Sequence, residues 1–205
     1  MNLPTSFSDL FELGSDPGLS DDGRKSLEFL NMHGYAIKIG ANVSIQQQIS
    51  TLSSEPAIRE YCPNDTQQRF GTIDKFEKWL SKGRVLVTVW QDEKIVGYGW
   101  AGNGTSSRVA SGENTFAIRL GSAASGKGLA THFARLIVEA SNILFGLKDI
   151  WLETWQSNGG AVHIYHKIGF IDVAEEKSSR KKADGSEVDD VRLYMSLPNE
   201  NLPTK

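Results

Sequence analysis

The chain has 205 residues, 39% of them hydrophobic, which suits one domain with extra elements and is enough to bury a proper core. Its net charge of −3 and pI near 5.8 give no argument for a nucleic-acid or general membrane partner. The single cysteine, Cys62, excludes an internal disulfide and fits a reducing compartment, so the cytoplasm is the expected location.

Residues 1–34 read as an extension, expected to be largely helical. They have no basic start followed by an apolar run, so a signal peptide is not expected. No apolar stretch in the chain is long enough to span a bilayer. Phe7, Leu10, Phe11 and Leu13 precede a Gly/Ser/Asp-rich gap, and Leu27, Phe29 and Leu30 mark a helix from Ser20 to Met32. Such an extension has three options: it packs on the domain, completes a homodimer, or stays partly mobile.

Gly34 to Ile39 reads as the first strand. Ser44 followed by Gln47 is a capping-box candidate for a helix faced by Ile45, Ile49 and Leu52. Residues 58–69 follow no single pattern. Thr72 opens a second helix, with Phe76, Trp79 and Leu80 in one stripe and Gly83 as its stop. Arg84 to Trp90 and Lys94 to Trp100 are β-rich runs joined by the polar turn Gln91-Asp92-Glu93, a hairpin. A Gly- and Ser-rich loop over residues 102–112 leads to the stretch that organises the chain.

That stretch is Asn114 to Phe133. Phe116, Ile118 and Leu120 alternate with Thr115, Ala117 and Arg119, the two-residue period of a half-buried strand. From Leu129 the apolar residues recur at three and four positions (Phe133, Leu136, Ala140, Leu144), one stripe of a helix. Between them lies a glycine-rich turn, Gly121 to Gly128. A turn that opens a helix offers free backbone N–H groups and the positive end of the helix dipole, a ready anion site. Gly121, Gly126 and Lys127 almost spell the phosphate loop GxxxxGK[ST], but Gly128 lacks the hydroxyl that would ligate magnesium. No apolar strand ends in a free Asp to act as a second metal ligand, and a plain ligand-free turn is a third reading.

Further on, Trp151 to Phe170 contains Asn158, Ala161, Tyr165, Lys167, Gly169 and Phe170, beginning about thirty residues after the glycine turn. Together, Gly126-Lys-Gly-Leu-Ala130 and this second segment resemble the two motifs of the GNAT superfamily of N-acetyltransferases. Gly128 and Ala130 match the last specified positions of (Q/R)-x-x-G-x-(G/A), while Ser125 stands where Gln or Arg is usual. The resemblance covers roughly residues 35–197, which makes that span the acetyltransferase domain and residues 198–205 a tail.

The resemblance implies an α/β fold: a twisted mixed sheet of six to seven strands, mainly antiparallel, with helices on both faces. A parallel central pair is joined by the helix that follows Gly128. Asp149 to Trp155, Phe170 to Ala174 and Val188 to Leu197 supply the later strands, and Ala161 to Lys167 a short helix. Residues 41–83 would be the region that varies with acceptor.

The resemblance also implies acetyl-CoA as co-substrate, and no metal. Its pyrophosphate would be held by the backbone of Ser125, Gly126, Lys127, Gly128, Leu129 and Ala130. The backbone of Ile118 and Leu120 would bond the pantetheine amides, freed by a bulge that splays this strand from the next. Asn158 matches a cofactor-contacting position, and a helix N-cap is compatible with the same place. Tyr165 matches the general acid near the sulfur; a packing tyrosine is the plain alternative.

Glu153 is the first candidate for general base. Burial between Trp151 and Trp155 would raise its pKa towards neutrality. Glu113 is the second candidate, and either can be a solvated edge carboxylate. His163 and His166 read as surface residues. Arg180, Lys181 and Lys182, flanked by acids, read as a solvated hairpin face. Tyr98, Trp100, Trp151 and Trp155 either pack the core or line a pocket for an apolar or cationic amine. The acceptor is a small-molecule amine, an antibiotic aminoglycoside, an amino acid or a protein amino group; the resemblance of WLETW with Asn158, Ala161 and Tyr165 to N-terminal-amine acetyltransferases favours the last slightly, although those residues serve the whole superfamily. A non-catalytic acyl-CoA-sensing module and, less favoured, a phosphate-loop phosphotransferase are the alternatives.

Overall fold

A computed structural model describes residues 11–14 and 18–201; Phe7 and Leu10 lie outside the described residues. Strands β1 (Phe11–Glu12), β2 (Tyr35–Ile39), β3 (Arg84–Gln91), β4 (Lys94–Asn103), β5 (Asn114–Leu120), β6 (Ile150–Trp155), β7 (Ile171–Lys181) and β8 (Glu187–Ser196) form one sheet. Its order is β1-β2-β3-β4-β5-β6-β8-β7, so seven full strands carry a two-residue strand on one edge. All neighbours are antiparallel except β5 and β6, the expected parallel central pair. Helix α5 (Leu129–Phe145) makes the crossover between them.

The sheet is covered on both faces. Helices α1 (Asp21–Met32) and α5 and the short α6 (Gly159–Lys167) pack against Ile37, Val87, Phe116, Leu152 and Met195. On the other face α2 (Val43–Leu52), α3 (Pro56–Arg59), a π-helical turn (Thr66–Phe70) and α4 (Ile73–Leu80) enclose Leu86, Tyr98, Trp100 and Ala117. β3 and β4 are therefore buried along almost their whole length, which is why they read as continuous apolar runs rather than alternating ones.

Side-chain caps set the starts of α1, α2 and α4. Ser20 accepts from Gly23 N–H at 3.0 Å and opens α1. Asn42, not Ser44, opens α2: its Oδ1 accepts from Ile45 N–H at 2.9 Å. An Asx side chain one residue before Val43 satisfies the orphan donor first, which leaves Ser44 inside the helix. Thr72 caps α4, and α4 stops at Leu80, three residues before Gly83.

The described part of the extension packs on the domain. Glu139 of α5 is buried and accepts from Ser20 N–H (3.1 Å) and from the Ser20 hydroxyl (2.7 Å), while Phe29 stacks on His132 at 4.1 Å. β7 runs well beyond residue 174, and its charged outer half pairs with β8 up to Lys181↔Glu187. Arg180 is the exception to the solvated face: it is buried, bonded to Glu60 and to Asp190 (3.1 Å). Acidic neighbours on two elements make that burial affordable.

Candidate active site

β5 and β6 are paired only at Asn114↔Ile150 and Thr115↔Trp151, and beyond that they part. The ladder between β4 and β5 keeps one unbroken register from Asn103↔Asn114 to Gly97↔Leu120, so the split forms without the expected bulge in that ladder. A cleft of about 820 Å³ occupies the split and reaches both faces of the sheet. Gly121 N–H bonds Val96 O at 2.9 Å. By antiparallel alternation the backbone groups of Leu120, Ile118 and Phe116 face away from β4, into the gap. The Ile118 carbonyl is partly engaged there, accepting from Arg119 Nη1 at 2.9 Å.

On the face of α5 the cleft is floored by the glycine turn. Ser125, Gly126, Gly128, Leu129 and Ala130 line it. Gly128 is the N-cap of α5, at φ +76, and no side chain caps that helix. The first-turn N–H groups of this seventeen-residue helix thus have neither an intrahelical partner nor a capping side chain. Gly126 and Gly128 both adopt the left-handed region, and open space surrounds each Cα where a side chain would start. Lys127 is exposed and does not line the cleft.

Tyr165 enters from the same face, buried against Phe116 and Phe170, with both ring centroids 6.0 Å away. Burial pushes its phenol up to about 12, with Arg119 pulling the other way. Neutral and protonated, it lines the cleft. Asn158 sits at the N-cap of α6 without making a capping bond, and its side chain also lines the cleft.

The opposite wall was not legible beforehand. Asp65, 2% exposed, bridges two arginines: Oδ2 accepts from Arg119 Nε at 3.1 Å, and Oδ1 from Arg69 Nη1. Both guanidinium groups lie over Trp100, at 5.2 and 5.6 Å. Burial works against the charge of Arg119, but Cys62, Asp65 and Tyr98 outweigh it and hold its pKa above the ordinary value. Cys62 is half-buried on this wall, and burial pushes its thiol up. Tyr98 is core; its hydroxyl donates to Ser53 Oγ at 2.8 Å, because the Ser53 hydroxyl donates to Ile49 O.

Glu153 projects to the Arg119 face, since Leu152 beside it belongs to the α5-side core. It lines the cleft but is exposed rather than buried between tryptophans, and it accepts from Arg192 Nη1 at 2.7 Å. Arg192 in turn lies 3.7 Å above the Trp155 ring. Trp151 turns away into a small cluster with Val109 and Tyr194 and donates to Gly104 O at 2.6 Å. Glu113 precedes the paired end of β5, and its N–H bonds Asp149 O; it does not line the cleft. His166 is exposed beside Asp172, and His163 is exposed.

Asp65, Arg69 and Arg119 carry no motif-level sequence signal of a site, for two reasons. The first two fall in the segment without a pattern. Arg119 held a polar position of an alternating strand, which reads as solvent-facing when only one face of a sheet is taken to be buried. The one available signal was composition: Asp, Arg and Cys clustered just before a helix.

A cleft crosses the split sheet, with an uncapped helix start on one face and a charged, aromatic wall on the other. Residues 46–171 match the family model described as the acetyltransferase (GNAT) domain, and the chain belongs to that family. Solved structures agree in fold. Ribosomal-protein-S5-alanine acetyltransferase from Vibrio fischeri superposes with a TM-score of 0.64 at 15% identity, covering 83% of this chain and 96% of that one. Spermidine N-acetyltransferase from Vibrio cholerae, in complex with CoA and spermine, gives 0.61 at 18%, with 82% and 98% covered. Ribosomal-protein-S18-alanine N-acetyltransferase from Escherichia coli gives 0.58 at 14%, with 82% and 96% covered. A search of curated protein sequences returned no significant match. The phosphate-loop reading is not favoured: it belongs to another fold, and its hydroxyl position is here a left-handed glycine.

Proposed function

We propose that this protein transfers an acetyl group from acetyl-CoA to a primary amine by direct attack in a ternary complex. The observation that carries the reading is the position of Tyr165: a buried, protonated phenol in the split between β5 and β6, on the face of the glycine turn. Acetyl-CoA supplies an activated thioester. The uncapped N–H groups from Gly126 to Ala130 suit its pyrophosphate, and the gap-facing backbone of Ile118 and Leu120 suits the pantetheine amides. Ser125 and Asn158 add polar groups at the two ends of that path.

The amine nitrogen forms a bond to the acetyl carbon as the carbon–sulfur bond breaks. Tyr165 gives its proton to the departing sulfur, and Glu153, directly or through water, takes the proton that the amine sheds. Solvent exchange then restores both groups. Glu153 suits this role by its face and exposure, on the cleft beside Arg192. Metal has no assigned part. An acyl-CoA-sensing module would bind the same ligand but would have no use for a proton donor at Tyr165.

Thiol release from acetyl-CoA in the presence of a panel of amines tests the reading. Amine-dependent release, with acetylated amine as product, is the expected result. Trapping a turnover-competent acetyl-enzyme would rule out direct attack.

A further inference from the structure

The wall facing the acceptor is built the wrong way round for a polycation. The charged side chains lining the cleft are Arg69, Arg119, Arg180, Lys181, Arg192, Asp65 and Glu153. Both acids are already engaged. Each oxygen of Asp65 accepts from a different arginine, and Glu153 is held by Arg192. The aromatic faces that would attract an ammonium group are likewise covered, Trp100 by Arg69 and Arg119, and Trp155 by Arg192. Two arginines sharing one carboxylate leave a net positive charge. Arg69 bonds Asp65 through Nη1, and its side chain is 35% exposed, so the rest of its donor fork is open to the cleft.

From this we infer that the acceptor is a primary amine that also carries a carboxylate, an amino acid or close analogue, anchored by the Arg69 guanidinium beside Arg119. The inference rests on the acetyltransferase reading and specifies its acceptor. A planar fork held by Asp65 and Trp100 is preorganised to receive a carboxylate by two parallel N–H bonds. Anchoring there, on the face of Arg119 and Glu153, leaves the amine of a short molecule to reach towards the split where Tyr165 lies. A polyamine would meet guanidinium groups instead of free carboxylates.

The test uses the full chain, acetyl-CoA and matched acceptors: amino acids, their methyl esters, and spermidine, with thiol release read as kcat/KM. Ester amines are less basic and have the larger neutral fraction at neutral pH, so intrinsic reactivity favours the esters. The expected result is at least tenfold preference for the free carboxylates, reduced to about twofold or less in Arg69→Gln and recovered in part in Arg69→Lys. Esters or spermidine turning over as well as the free acids would overturn the proposal. So would a preference that Arg69→Gln leaves intact, or an Arg69→Gln variant that loses stabilisation by acetyl-CoA rather than acceptor discrimination. No turnover of any carboxylate-bearing amine, in a protein that acetyl-CoA stabilises, overturns it while leaving the cofactor reading standing. Failure of acetyl-CoA to stabilise the protein at all removes both.

Discussion

At the scale of single residues, the site depends on two buried polar groups used in opposite ways. Tyr165 is kept neutral by burial, and with its phenol near 12 it stays protonated across the working range. Tyr165→Phe keeps the ring packing against Phe116 and Phe170 while deleting the proton. Its turnover should fall by about 10²-fold or more where chemistry limits the rate, with stability little changed. The pH–rate profile should rise as the acceptor amine loses its proton, and tyrosine ionisation should put no descending limb on it up to pH 10; loss of activity near neutral pH would assign the acid elsewhere. Asp65 is buried and accepts from two arginines. Asp65→Ala leaves Arg119 buried without its counter-charge, and a destabilisation of about 3–5 kcal/mol is expected in urea unfolding. Cys62, raised by burial, is a poor nucleophile. Cys62→Ala should therefore retain turnover, and a dead but folded variant that still binds acetyl-CoA would revive a covalent route.

Elements position these groups through a few cross-links. α1 is pinned to α5 by Glu139, and the space there is tight: a Cβ on Gly23 would lie 2.0 Å from Glu139 Oε2. Gly23→Ala must push that carboxylate off Ser20, and a loss of about 1–3 kcal/mol in unfolding free energy is expected. On the other face, the segment after α3 is strapped to β7 and β8. Arg180 bonds Glu60 and Asp190 and lies over Tyr61, whose hydroxyl donates to Ser157 O at 3.2 Å. Burial raises the pKa of Asp190, but the bonds it accepts from Ser157, Val191 N–H and Arg180 outweigh that and hold it below the ordinary range. With the folded value depressed, its stabilising contribution is full above the unfolded value of about 3.9 and is lost as pH falls through the depressed one. Hydrogen-exchange protection at residues 57–65, taken relative to the intrinsic rate at each pH, should therefore fall below about pH 4 and earlier than in the core strands; a uniform change in protection would mean the strap does not depend on Asp190.

For the whole molecule, ligand binding should read out as stability. Acetyl-CoA at a hundred times its dissociation constant adds about 2.7 kcal/mol, which for a chain of this size raises the melting temperature by about 5–10 °C. ATP with magnesium should leave it unchanged, and stabilisation by ATP alone would contradict the use assigned to the glycine turn. The order of the sheet explains why one cleft reaches both faces. The parallel pair is the only place in the described sheet where neighbours separate, and the cleft passes there.

Local patterns already carried much of this. Period-two and period-3.6 runs, glycine turns and the spacing from Gly128 to Tyr165 are encoded within short windows, so the strands, the crossover helix and the cleft wall on the face of α5 could be read directly. The opposite wall could not. Asp65 and Arg119 are 54 positions apart, and the bond between them exists only because α3 and the π-helical turn fold across the face of β5. The same holds for Arg180 with Glu60 and Arg192 with Glu153. Periodicity says which residues are buried or exposed relative to one partner surface. Whether a polar residue then meets water or a counter-charge depends on which distant segment covers it, and only the tertiary structure decides that.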